Sequence, residues 1–472
     1  MNPVELVLEH ARTNPDDVAV AEADFSMSYG DMADTLVRFA GRFRQLGIGH
    51  GTVVAVSARP AIEAVVVLAL LHEGAISLTG SPSVLRVYAD SIDVVISEGP
   101  VLNAGSARLI TISTDFLASL GAVSPTIQPS ALDASDVCRI VFSSGTTGTP
   151  KGIEFTVAAL RARTDAARAI WMPVDPFMCL LGLDTVSGTL TFFWSVFHGK
   201  TYFASSRAAQ NRAVIERYGV RSIKASPARL ADLVALVEAE PGLHLEVVQV
   251  LGSLLTPSLG ERCESTLGCV PIYLYGSTEI GTVASGPFDA ARPHIVGRLI
   301  NPEVDFELAD DKGRPIVEPD TEGEIRFRSA VMTSHYWLAA PGEGAFRAGW
   351  FYPGDIGSIS RRGELHIAGR SDDVVNASGA KFNLAELDLW LNELRLFDDA
   401  ASFSFSEDNG VAVGIAFVAK AHVGPDLVVQ QLRARFPNLV VKALIKVDAI
   451  PRNDLGKVAR TALVNLLGVL PE

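Results

Sequence analysis

Phe142-Ser143-Ser144-Gly145-Thr146-Thr147-Gly148-Thr149-Pro150-Lys151-Gly152 is the stretch on which the reading of this chain turns. From Ser143 to Gly152, ten residues hold five hydroxyl side chains, three glycines and one lysine. The residues before them, Cys138-Arg139-Ile140-Val141-Phe142, read as a buried strand. Glycines let backbone amides approach an oxyanion closely, hydroxyls donate further hydrogen bonds, and a lysine adds a point charge. That is the chemistry of gripping a polyphosphate. The run is not the Walker form, because no Gly-Lys-Ser/Thr closes it and Pro150 precedes the lysine. Composition alone would equally suit a Ser/Thr/Gly linker. The order of residues and four segments downstream decide between them.

The second segment is Tyr273-Leu274-Tyr275-Gly276-Ser277-Thr278-Glu279. A tyrosine ring can stack on a purine, a hydroxyl can donate to a phosphate, and a carboxylate suits a hard cation. The same residues would also suit a turn opening a helix with an acidic first turn. The third, Gly349-Trp350-Phe351-Tyr352-Pro353-Gly354-Asp355-Ile356-Gly357, places an acceptor-only carboxylate in what is otherwise an ordinary β-turn composition. The fourth, Gly369-Arg370-Ser371-Asp372-Asp373-Val374-Val375-Asn376-Ala377-Ser378-Gly379, is a polar turn cluster. The fifth, Pro451-Arg452-Asn453-Asp454-Leu455-Gly456-Lys457, ends on a lysine after a turn glycine.

In this order and spacing, the five segments resemble the signature motifs of the adenylate-forming superfamily. Its members are acyl-CoA synthetases, peptide-synthetase adenylation domains and luciferases. Gly252-Ser253, Val296-Gly297-Arg298 and Gly323-Glu324-Ile325 fill the gaps, so the resemblance covers essentially the whole chain. Departures are Pro353 and Asn453 where threonine is usual, Asn376 for a frequent lysine, Lys381 for arginine, and Thr156-Val157 for Thr-His.

The resemblance implies roles. Ser143, Ser144, Gly145, Thr146, Thr147, Gly148 and Lys151 would hold the ATP phosphates. Gly252, Ser253, Tyr275, Gly276 and Ser277 would surround the nucleotide. Thr278 would donate to the α-phosphate and Glu279 would hold Mg²⁺. Asp355 and Arg370 would take the ribose, and Asp372 would be a hinge. Lys457 would be a mobile catalytic lysine that offsets charge as a carboxylate attacks. Tyr273 would border the acyl pocket, and Gly379 the thiol-acceptor face. The implied reaction has two steps: a carboxylic acid and ATP give acyl-AMP and pyrophosphate, then the thiol of CoA or of a carrier-protein phosphopantetheine takes the acyl group after a domain rotation. No G-x-S-x-G elbow and no H-E-x-x-H motif suggests another chemistry.

The acid is less legible. The acyl pocket is expected along 181–187, 252–254 and the residues after Glu279. Leu183-Asp184-Thr185-Val186-Ser187 loosely resembles the Phe-Asp-x-Ser segment of amino-acid-activating domains. On that reading Asp184 pairs with a substrate ammonium, and the partner is an acyl or peptidyl carrier protein. Otherwise Asp184 caps the following helix. A luciferase-like oxidase on the same scaffold is a further alternative.

The 472 residues carry a net charge of −14, which argues against nucleic acid and anionic membrane surfaces as partners. Four cysteines without C-x-x-C spacing, no basic-then-apolar start and no long apolar run predict a cytoplasmic enzyme without a membrane span. Strand and helix signals alternate, which predicts an α/β fold. The large domain, 1–371, should hold parallel sheets flanked by helices plus a small antiparallel sheet or barrel from Val304 to Ala330. A small α+β domain, 372–472, should follow on a hinge, with helices near Leu384–Leu394 and Asp426–Phe436 and strands Val411–Ala419 and Leu439–Val447.

Overall fold

The computed structural model describes the chain apart from residues 1, 102–103, 124–127, 131, 144–149, 172–173, 331, 341–343, 378–379, 395, 408–409, 420–429, 433, 437–438, 453–456 and 468–472. For 167–171, 372, 374, 376–377, 380–381, 389, 393, 406–407, 410 and 419 it describes the backbone alone.

The N-terminal sheet runs in the order Arg108–Thr111, Val94–Ser97, Val53–Ser57, Ile76–Thr79, Val137–Ser143, Lys151–Thr156. Every neighbouring pair is parallel except the last. Its strands are short apolar runs, as expected where helices cover both faces. Helix Tyr29–Gln45 starts as the sequence predicts, with Ser28 accepting from Asp31 N. Helix Pro60–His72 has proline in its first turn and is buried from Ala61 to His72. No helix among the described residues is long and apolar enough to cross a membrane.

A second sheet begins with four parallel strands, Phe177–Cys179, Ser222–Ala225, Val247–Leu251 and Ile272–Ser277. It continues without a break into antiparallel strands Gly281–Pro287, Ile295–Leu299, Glu364–Arg370, Asp355–Ile359, Gly323–Arg328 and Asp305–Ala309. The expected separate antiparallel sheet is therefore an extension of the parallel one. The hairpin Ile272–Ser277/Gly281–Pro287 reverses the chain where the parallel strands end, and the hydrogen-bond ladder carries on.

A buried ion pair ties the first sheet to helix Pro60–His72. Arg139, 1% exposed, donates to Ser77 Oγ at 3.2 Å, Thr79 Oγ1 at 3.1 Å, Thr189 Oγ1 at 3.1 Å and Leu183 O at 2.6 Å. Glu63 Oε1 lies 3.8 Å from the guanidinium and accepts from Thr79 Oγ1. Burial pushes the Glu63 carboxyl up to about 7, against the pull of Arg139. The folded pKa exceeds the unfolded one, near 4.5, so this group's stabilising contribution is complete below 4.5 and is lost as pH rises through 7. Relative to a Glu63→Gln variant, wild-type stability should fall by up to about 1.4 kcal/mol per pH unit across that window. Urea unfolding of both proteins at pH 5 and pH 7.5 checks this, and parallel pH dependences would contradict it.

From residue 384 onward the chain packs in clusters of its own. Leu384, Leu387, Leu391, Phe397, Val413 and Ile415 form one, and Phe403, Ile445, Ile450 and Leu463 belong to another. Helix Leu384–Glu393 and strands Phe397–Glu407, Gly410–Ala419 and Val441–Lys446 build this part. The helix expected over Asp426–Phe436 lies partly outside the described residues.

Candidate active site

The hairpin Ile272–Ser277/Gly281–Pro287 presents Thr278 and Glu279 at its turn. The register slips between Tyr275 and Gly276, and a Cβ on Gly276 would lie 1.9 Å from Gly281 O. Glycine is thus required there for the strands to close. The turn sits on the sheet rather than at a helix start, which sets aside the capping alternative. Buried Arg163 clamps it, donating from Nη2 to Thr278 O at 2.7 Å. Burial brings the Arg163 guanidinium down to about 10, opposed by Glu279.

Glu279 is 5% exposed, and its Oε1 accepts from Tyr336 OH at 3.0 Å. The same Tyr336 ring lies 5.1 Å from Lys151 Nζ. The phosphate-loop candidates are thereby linked to the metal candidate. Ser143 and Lys151 face each other across strands Val137–Ser143 and Lys151–Thr156. Ser144, Gly145, Thr146, Thr147 and Gly148 connect those strands and lie outside the described residues. Tyr88 OH donates to Pro150 O at 2.7 Å, and Trp337 N to Gly152 O at 2.7 Å, which fixes the loop's C-terminal root.

Strands Asp355–Ile359 and Glu364–Arg370 set Asp355 opposite Arg370. Arg370 Nη1 donates to Asp355 Oδ1 at 2.9 Å, and Tyr275 OH donates to Oδ2 at 2.6 Å. Each carboxylate oxygen keeps a second lone pair for an incoming hydroxyl. Burial raises the Asp355 carboxyl, opposed by Arg370, Tyr275 and Lys457. Burial and Asp355 together push the Tyr275 phenol well up, so it is a donor at neutral pH.

Lys457, from the far end of the chain, completes the cluster. Burial, then Arg370, lowers its pKa, while Asp355, Glu279 and Asp373 raise it. Its ammonium therefore stands in the field of residues from the hairpin, the ribose-site strands and the turn Ser371–Asp373. Arg460 anchors this tail through Asp373 at 3.0 Å and Asp388 at 2.9 Å. Asp372 lies in that turn, with its side chain outside the described residues, as is Gly379.

Ser277 Oγ, Arg370 Nε and Arg163 Nε are buried without a hydrogen-bond partner among the described residues. An unsatisfied buried donor costs about 1–3 kcal/mol. Three of them around one constellation fit an oxygen-rich ligand such as a nucleotide. Among the described residues, no group of three or more His, Cys, Asp or Glu side chains could hold a metal ion by itself. A single carboxylate such as Glu279 suits Mg²⁺ shared with substrate phosphates.

Gly252 follows strand Val247–Leu251 with φ +97°, a conformation that favours glycine, and Ser253 comes next. Two acyl-pocket candidates are placed differently from expectation. Tyr273 is 2% exposed, and its hydroxyl accepts from Leu255 N at 2.6 Å and donates to Pro293 O at 3.1 Å. It is a core residue that pins the 252–255 segment, with no open face for a substrate. Asp184 is exposed, not buried. It borders a cavity of about 320 Å³ with Glu63, Arg207 and Arg229 among the lining. Nor does it cap helix Val186–His198, because Thr185 does, accepting from Gly188 N at 3.0 Å. The hydroxyl one position later wins the cap.

Tyr336, Arg163, Asp373 and Arg460 escaped sequence reasoning. Tyr336-Trp337 is a conspicuous aromatic pair in a polar stretch and could have been noticed. Arg163 sits on a helix, Val157–Trp171, with no sequence mark of its aim.

The sequence matches the family model described as AMP-binding enzyme over residues 7–337. It is 27% identical to a 4-coumarate–CoA ligase-like 9 of Oryza sativa subsp. japonica, across 97% of this chain and 91% of that one. It is 25% identical to a 2-succinylbenzoate–CoA ligase of Geobacillus kaustophilus, across 97% of each. The fold matches an O-succinylbenzoate coenzyme A synthetase of Bacillus subtilis, in complex with ATP and a magnesium ion, with TM-score 0.83 at 20% identity, covering 97% of this chain and 99% of that one.

Proposed function

We propose a site assignment and an acceptor for this chain, which belongs to the AMP-binding enzyme family and is an AMP-forming acid–thiol ligase of acyl-CoA synthetase type. It activates a carboxylic acid through acyl-AMP, and the acceptor we assign is CoA. The observation that carries the assignment is that the charges of Arg370, Asp355 and Glu279 all act on buried Lys457.

In this reading residues 1–371 form the large domain and 372–472 the mobile one. Asp355 takes the ribose hydroxyls, oriented by Tyr275 and Arg370. Ser143 to Lys151 hold the β- and γ-phosphates of ATP, and Thr278 donates to the α-phosphate. Glu279 would hold Mg²⁺, which when bound supplies charge neutralisation at the phosphates. Lys457 steadies the acid's carboxylate and the α-phosphate while their charges are forced together. The reaction is then one of positioning and electrostatics. Asp373, Arg460 and Asp388 bind the Lys457 segment to the small domain. A rotation about Asp372 would carry Lys457 away as one body and bring Gly379 toward the thiol.

Two observations weigh against an amino-acid substrate. Asp184 shares its cavity with Glu63 and with two cations, Arg207 and Arg229, so a substrate ammonium there would meet as many cations as carboxyl groups. A buried lysine, Lys224, stands on the sheet between the two expected acyl-lining segments. CoA is favoured as acceptor because the relatives found here are named CoA ligases.

ATP–pyrophosphate exchange across fatty, aryl, short branched and amino acids, with CoA product analysis, tests the reading. Exchange with a plain or substituted carboxylic acid plus a CoA thioester is the expected result. Exchange driven by an amino acid and untouched by CoA would overturn the acceptor and substrate assignment.

A further inference from the structure

Two neighbouring aromatic residues tie the first sheet to the second beside the charged cluster. Trp337, 9% exposed, packs with Ala55, Leu78 and Ile140 of the first sheet. Its ring centre lies 5.2 Å from that of Tyr88 and 6.2 Å from that of Phe142. Its backbone N–H donates to Gly152 O at 2.7 Å. A Cβ on Gly152 would stand 3.0 Å from Trp337 Cβ, so glycine eases the close approach of the two segments. Tyr336 instead stands edge-on to Phe346, in the core of the second sheet, at 5.1 Å. The chain turns sharply after this pair, with Ala339 N donating to Tyr336 O at 2.9 Å. Leu338 takes φ +65° in that turn, yet its side chain is 64% exposed. That conformation is strained for a residue with a Cβ, and here no burial offsets it. Such strain persists where the surrounding structure fixes the chain on both sides.

What this strap holds in place is the Tyr336 side chain. Its hydroxyl donates to Glu279 Oε1 at 3.0 Å, and its ring centre lies 5.1 Å from Lys151 Nζ. Burial, then Glu279, pushes the phenol pKa well up, so it is a donor at neutral pH. One side chain thus touches both the carboxylate suited to Mg²⁺ and the lysine suited to phosphate. Those two residues come from different sheets. Glu279 sits in the turn after strand Ile272–Ser277, and Lys151 opens strand Lys151–Thr156. A carboxylate with one oxygen held by a donor is fixed in rotation, and its other oxygen is aimed. An ammonium over an aromatic face is likewise confined while its N–H bonds stay available.

We propose that Tyr336 is a positioning residue that sets Glu279 and Lys151 as one unit for the metal–triphosphate of ATP. The proposal rests on the adenylation reading above. The hydroxyl orients Glu279 toward the cation, and the ring places the Lys151 ammonium for the phosphates. Tyr336 acts through these two residues and not on the reacting atoms. Its two contacts serve different parts of the ligand, so removing the hydroxyl alone should weaken the metal's share of nucleotide binding. Removing the ring as well should also weaken the phosphate's share.

The test is calorimetric titration of wild type, Tyr336→Phe and Tyr336→Leu with ATP, once with excess MgCl₂ and once with EDTA. Thermal melting of each protein accompanies it. Mg²⁺ should tighten ATP binding to wild type, and Tyr336→Phe should lose roughly tenfold to 10²-fold of that gain. Its affinity for ATP in EDTA should change far less. Tyr336→Leu should lose the Mg²⁺ gain and bind ATP more weakly in EDTA as well. In pyrophosphate exchange, Tyr336→Phe should need roughly tenfold more Mg²⁺ for half activation, and excess Mg²⁺ should restore much of the lost rate. A residue that only packs would lower the melting temperature and leave the ratio of the two ATP affinities unmoved. If Tyr336→Leu does not fold, Tyr336→Phe, which keeps the ring, decides the matter. An unchanged Mg²⁺ gain and an unchanged Mg²⁺ requirement in Tyr336→Phe overturn the proposal and leave adenylation standing. A wild type that binds no ATP in either titration contradicts the adenylation reading itself, and this proposal with it.

Discussion

Lys457→Ala should lower pyrophosphate exchange by roughly 10²–10³-fold, the usual cost of removing one preorganised donor from a developing negative charge. Thioester formation from supplied acyl-AMP and CoA should stay close to the wild-type rate. The split follows from position. Lys457 feels the charges of Asp355 and Glu279 from a segment anchored through Arg460, Asp373 and Asp388. If that body rotates between the half-reactions, its lysine serves the first and is absent from the second. Lys457→Arg should not rescue fully, since a planar fork replaces a compact ammonium that must fit between two oxyanions. Single-turnover measurements of both steps separate the outcomes. Equal loss in both would mean that Lys457 holds a common architecture, and the domain-rotation account would fail.

The site was legible in the sequence wherever chemistry demanded an uncommon residue order, and obscure where packing decided. Asp355, Arg370, Glu279 and Lys457 are far apart in the chain, yet the structure brings them into one electrostatic cluster. Their segments carry turn glycines and prolines beside charged groups, a pattern that survives without knowledge of the fold. Tyr273 and Asp184 were harder. Both sit in recognisable segments, but position along the strand decides what Tyr273 touches, and a one-residue difference in helix start decides the role of Asp184. Tyr273 and Tyr275 share one face of their strand, yet Tyr273 OH bonds the backbone at Leu255 and Pro293 while Tyr275, nearer the strand end, reaches Asp355. Thr185, not Asp184, starts the helix. The extension of the parallel sheet into antiparallel strands was hidden for a related reason. Local strand signals say nothing about which sheet edge a strand joins, and the Gly276–Gly281 close approach that permits the reversal is a tertiary fact.

Asp355→Ala should raise KM for ATP at least 10²-fold and lower stability by about 2 kcal/mol, the scale of losing hydrogen bonds to a charged group in a part-buried pair. Asp355 is the anion between two cations. Arg370 bonds it at 2.9 Å, and Lys457 is held charged partly by it. Its removal leaves the Arg370 charge acting on Lys457 with Glu279 and Asp373 as the opposing carboxylates. The Lys457 pKa, already lowered by burial and by Arg370, should fall further. The protonated lysine is the active form, so activity holds below its pKa and is lost above it. The alkaline limb of the kcat profile should accordingly move to lower pH in Asp355→Ala. Asp355→Asn keeps the shape and one acceptor but removes the charge, so it should show the same displacement of the alkaline limb with a smaller loss of stability. A limb unmoved in both variants would mean that Lys457 does not feel Asp355 during catalysis. The ribose-site carboxylate and the C-terminal lysine would then act independently, and the adenylation step would not draw on the cluster the fold assembles.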